Sequence, residues 1–104
     1  MKVELFYFDG CPSEAELLPR LRELLASEGI EDEVELRRVE TPADAERLHF
    51  LGSPTVRIDG EDVDASAGAR KDYGMECRLY PTADGLARTP PDEWIRAALE
   101  RAGD

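Results

Sequence analysis

Apolar and polar positions divide the chain into segments of different period. Val3, Leu5, Phe6, Tyr7 and Phe8 make a near-continuous apolar run over Lys2–Phe8, as in a strand covered on both faces. Asp9-Gly10 stops that run with a turn. From Pro12 to about Ser27 the period changes, and Leu17, Leu18, Leu21, Leu24 and Leu25 fall on one face of a helix. Gly29 is placed to close this helix, and Pro19 inside it predicts a kink. Glu33 to Val39 alternates as a second strand, and the strand–helix–strand order predicts a right-handed crossover with parallel strands. Thr41 caps and Pro42 opens a short helix that carries Ala45, Leu48 and Phe50 inward and ends near Gly52. Two short strands then flank Asp59-Gly60, a strong hairpin signal, with Pro54 at the start of the first. Pro91-Asp92-Glu93 opens a last helix with one apolar stripe of Trp94, Ile95, Ala98, Leu99 and Ala102.

Between Asp64 and about Pro91 the pattern weakens. Ala65–Ala69 reads as a loop, Cys77–Tyr80 as a short strand and Ala83-Asp84-Gly85 as a turn. A connection this long is either functional or mobile. The expectation is one domain over residues 1–104, with a loop-rich insertion around 64–91.

Charge narrows the partners. With 24 acidic against 13 basic residues the net charge is −11, so nucleic acid and anionic membrane are not expected to bind. No apolar run is long enough to span a bilayer. The first strand is expected to start at Lys2, directly after Met1, so no leader is expected before it. A cytoplasmic chain with reduced thiols is therefore expected. Two cysteines are too few for a disulfide framework or a four-cysteine zinc site.

The candidate chemistry sits at the first strand-to-helix join. Cys11 falls at or next to the helix N-cap, with Pro12 at the first helical position. There the positive end of the helix dipole and unpaired backbone N–H groups favour thiolate, the reactive form. The bland alternative is a buried small hydrophobe, and position favours function. Tyr7 and Asp9 flank the site, but strand packing and turn formation already explain them. His49, the single histidine, reads as a solvated or dipole-favoured imidazole, Trp94 as core, and Glu31-Asp32-Glu33-Glu35 as a solvated loop and strand edge.

Cys11-Pro12-Ser13-Glu14, the helix proline Pro19 eight positions after the cysteine, and Ser53-Pro54-Thr55, with Pro54 43 positions after it, together resemble the thioredoxin-like superfamily. The resemblance covers roughly the first two-thirds of the chain plus the last helix. It implies a thioredoxin-like three-layer α/β/α fold with a central mixed sheet. It also implies thiol-disulfide oxidoreductase chemistry on Cys11, with Pro12, Ser53, Pro54 and Thr55 shaping a substrate groove at a cis-proline loop. The expected partner is a protein disulfide or a low-molecular-weight thiol, with no cofactor. One departure stands out: Glu14 occupies the place of the second cysteine of the Cys-x-x-Cys pair, which would otherwise resolve the mixed disulfide. Glu14 either raises the thiol pKa by its charge or caps the helix from its third position, and capping is the favoured role.

Cys77 admits three readings. It could resolve Cys11 from a distance, join Cys11 in holding a soft metal ion such as zinc, copper(I) or mercury, or simply pack. Packing is the default unless the segment Tyr73–Glu76 carries Cys77 to Cys11. Three functions follow: a thiol redox protein, a soft-metal or mercury-binding module using Cys11 and Cys77, and a redox-inactive interaction domain.

Overall fold

The protein was analysed as a computed structural model, which describes residues 1–103. A four-stranded mixed sheet in the order β2-β1-β3-β4 forms its centre. β1 (Val3–Tyr7) pairs parallel with β2 (Val34–Arg38) and antiparallel with β3 (Thr55–Ile58), which in turn pairs with the short β4 (Glu61–Asp62). Helix α1 (Ser13–Ser27) makes the parallel crossover, α2 (Pro42–Leu48) follows β2, and α3 (Asp92–Gly103) comes last. None of the described helices is long and apolar enough to cross a membrane.

Register explains the packing. Val3 lies opposite Ile58 and Leu5 opposite Val56, so these four share one face of the sheet. They form the main core with Leu17, Leu21, Leu24 and Leu25 of α1 and Ile95, Ala98 and Leu99 of α3. Phe6 points the other way, into a smaller cluster with Val39, Ala45 and Phe50 beside α2. Helices thus cover both faces, which is why the apolar run of β1 is continuous. Arg20 fastens α1 to the start of α3 through Asp92 at 2.7 Å and the Pro90 carbonyl at 2.6 Å. β2 is an edge strand with Glu35, Leu36, Arg37 and Arg38 exposed, and its charges oppose pairing with another chain.

Local signals hold where they predict turns and caps. Thr41 Oγ1 accepts a hydrogen bond from the Asp44 N–H, and Asp59-Gly60 takes left-handed φ values of 50° and 86° between β3 and β4, as the hairpin requires. Three boundaries differ from expectation. α1 begins at Ser13, so Pro12 is its N-cap instead of its first helical residue. α2 stops at Leu48 because His49 turns left-handed at φ 55°, well before Gly52. The strand expected at Cys77–Tyr80 instead starts at Tyr80: β5 (Tyr80–Thr82) pairs with β6 (Gly85–Ala87), and Cys77 makes an isolated bridge to Ser53. That bridge commits the segment to the loop before β3 and takes it away from the hairpin.

Candidate functional site

Cys11 is held between a turn and a helix start. It is buried, at 5 % exposure, and its Sγ lies 3.5 Å from the Ser53 carbonyl and 3.5 Å from Cys77 Sγ. Both thiols are free. The sulfurs are in contact across a separation of 66 residues, so the main question is what brings Cys77 there.

The answer is a strap, Glu76–Arg78, laid along the loop before β3. The Ser53 N–H donates to the Glu76 carbonyl at 2.8 Å, and the Arg78 N–H donates to the Ser53 carbonyl at 2.9 Å. Gly52 makes this approach feasible, since a Cβ there would stand 2.8 Å from the Glu76 carbonyl oxygen and 3.0 Å from Arg78 Cβ. Arg78 latches the strap from within. Its wholly buried guanidinium bonds Asp62 at 2.7 and 3.1 Å and Thr55 Oγ1 at 3.0 Å, and lies 3.6 Å from Asp64. It also stacks 4.4 Å over the Tyr80 ring, whose hydroxyl donates to the Pro54 carbonyl. Only the Arg78 Nε is left without a partner, and a buried cation held by two carboxylates and a hydroxyl through its other nitrogens fixes one arrangement of the chain around it.

The pair is electrostatically unequal. Burial pushes the Cys11 thiol up, but this is outweighed by hydrogen bonds from the Ser53 side chain, the Ser13 N–H, Cys77 and the Ser13 hydroxyl, and Cys11 is held below its ordinary value. The Ser53 hydroxyl is buried without a hydrogen-bond partner, and a donor left unpaired in this position gains most when the sulfur is charged. Cys77 moves the other way: its hydrogen bond to Cys11, partial desolvation and the Cys11 charge all raise it, with Arg88 opposing. Of the two, Cys11 thus gives up its proton the more readily, and Cys77 donates the hydrogen bond between them.

The remaining residues fall into place around this pair. Pro12 is exposed beside Cys11, whereas Ser53, Pro54 and Thr55 are buried under the strap instead of lining an open groove. The Ser53–Pro54 bond is cis. Glu14 is half-buried in the first turn of α1 and cannot close a capping box, because the N-cap is Pro12 and has no N–H to receive it. His49 is exposed and its ring stacks on Tyr73 at 4.8 Å. Trp94 is half-buried, edge-on to Tyr80. Ser13, Asp62, Asp64, Arg78 and Tyr80 were not marked by sequence. Ser13 was within reach, as a hydroxyl two residues after a helix-start cysteine, but Arg78 and its acids meet only in three dimensions.

A cavity of about 600 Å3 lies elsewhere, between His49, Arg57, Asp62, Arg70, Tyr73 and Arg101. Neither thiol borders it, so the nucleophile, not the hollow, marks the reactive centre. Among the described residues, no group of three or more histidine, cysteine or acidic side chains could hold a metal ion. Comparison with protein families, characterised proteins and solved structures gives no match to this chain.

Proposed function

We propose that this chain is a thioredoxin-like thiol redox protein in which Cys11 is the nucleophile and Cys77 the resolving thiol. The observation that carries the reading is the 3.5 Å contact between the two sulfurs, with Cys11 favoured as thiolate. The sheet order, helices on both faces and the Ser53-Pro54 loop beside the cysteine at the start of α1 support the fold assignment. Cys77 makes good the missing second cysteine of the Cys-x-x-Cys motif from across the fold. Attack by Cys11 on a disulfide yields a mixed disulfide. Cys77 then needs only to close from contact to the roughly 2.05 Å of a disulfide bond to resolve it.

The test is to treat the reduced protein with a disulfide and map the product by mass spectrometry. A Cys11–Cys77 disulfide is expected from wild type, and a trapped Cys11 mixed disulfide from Cys77→Ala. A soft-metal site is the second reading, favoured by the same contact of two thiols. With just two sulfurs in reach it suits a two-coordinate ion such as mercury(II) or copper(I). It predicts one ion per chain, lost on replacing either cysteine, and no disulfide product. An interaction domain without redox activity predicts slow alkylation of Cys11 and no metal.

A further inference from the structure

We propose, resting on the redox reading above, that the site exchanges with low-molecular-weight disulfides and excludes extended protein chains, because the Glu76–Arg78 strap occupies the main-chain pairing edge beside Cys11. A polypeptide docks at such an edge by adding a strand, its backbone bonding a free N–H and C=O. At this site those groups belong to Ser53, and both are taken, one by the Glu76 carbonyl and one by the Arg78 N–H. Cys77 Sγ then stands against Cys11 Sγ, where a docked chain would present its own sulfur. The chain carries its substitute for a substrate.

The strap is not easily lifted. Gly52 sits against it, and the Arg78 guanidinium is anchored to Asp62, Asp64 and Thr55 in a wholly buried setting. A protein disulfide must open these contacts before it can pair. A small disulfide needs no main-chain pairing and approaches past Pro12 and Cys77, which are exposed beside the buried Cys11. The chemistry then balances within the pair. The Cys11 thiolate attacks one sulfur of RSSR, forming Cys11–S–S–R and releasing RS⁻. Cys77 loses its proton to that thiolate and attacks Cys11 Sγ, forming the Cys11–Cys77 bond and expelling the second RS⁻, which takes up a proton from water. Two electrons pass from the protein thiols to RSSR, which leaves as two RSH.

The experiment compares the reduced protein's rate with bis(2-hydroxyethyl) disulfide, which is small and uncharged, and with insulin, in high salt. Each rate is divided by that of dithiothreitol with the same disulfide. For wild type the normalised insulin rate should be roughly 100-fold lower, as when two main-chain hydrogen bonds of the strap must open first. In Gly52→Ala the added Cβ displaces the strap, and the gap should narrow to roughly tenfold or less. Arg78→Gln, which loosens the latch, serves if Gly52→Ala does not fold. Equal normalised rates in wild type overturn the substrate assignment alone, as does an unchanged gap in a folded variant. Failure to react with either disulfide removes the redox reading, and this inference with it.

Discussion

At the scale of single residues, the unequal thiols make a specific demand on pH. Burial alone would push the Cys11 thiol up, and the donors around it outweigh that. Alkylation by iodoacetamide follows the thiolate, so the wild-type rate should rise with a midpoint below the ~8.5 of a free thiol. Ser53→Ala and Cys77→Ala each remove one donor and should move that midpoint upward. A midpoint at or above the free value in wild type would sink the nucleophile assignment. The pair should also lose its protons in two steps that straddle the ordinary thiol value and belong to the pair as a whole. The linkage signs oppose each other. The depressed Cys11 makes stability rise with pH, because the unfolded chain binds the proton more tightly, and the raised Cys77 makes it fall. Stability is therefore a poor reporter here, and reaction rate the better one. The setting of Cys11 was legible from sequence because it is local, a turn followed by a helix start. The approach of Cys77 stayed open among three readings, because its partner is 66 residues away and its own neighbours give no periodic signal.

Among elements, the strap carries the largest energetic stake. Arg78→Met leaves Asp62 and Asp64 without their buried cation, and removing one partner of such a cluster costs about 3–5 kcal/mol. Urea unfolding should show that loss at an unchanged m-value. Rapid formation of the Cys11–Cys77 disulfide should be lost with it, since Cys77 is no longer held against Cys11. A loss well under 1 kcal/mol would mean that the acids find water and the latch does not hold the strap. Tyr80→Phe removes a single donor from the buried Pro54 carbonyl and should cost about 1–2 kcal/mol, leaving the ion pairs in place. The helices and the β3–β4 hairpin were legible because Leu17–Leu25, the Asp59-Gly60 turn and the Ile95–Leu99 stripe act over a few residues. The 64–91 segment was not. An arginine in a polar stretch reads as surface, whereas Arg78 is buried by acids 16 and 14 positions earlier in the chain.

For the molecule as a whole, topology and charge act together. A bond between Cys11 and Cys77 would close a long loop, and the lost entropy of the unfolded chain then stabilises the fold of the oxidised protein by about 4 kcal/mol. Its urea midpoint should rise above that of the reduced protein, and an unchanged midpoint would mean that forming the bond distorts the strap. Charge bears on which small disulfide is met. The chain carries a net charge of −11, and a field of one sign speeds the approach of opposite charge and slows like charge over about a Debye length. Exchange with cystamine, a dication, should therefore slow as salt is added, while exchange with oxidised glutathione, an anion, should quicken. Bis(2-hydroxyethyl) disulfide should be indifferent. Slopes of opposite sign would place the thiol pair within the acidic field of the surface. Two flat slopes would mean instead that nearby cations such as Arg88, which already acts on Cys77, neutralise the field where the reaction occurs.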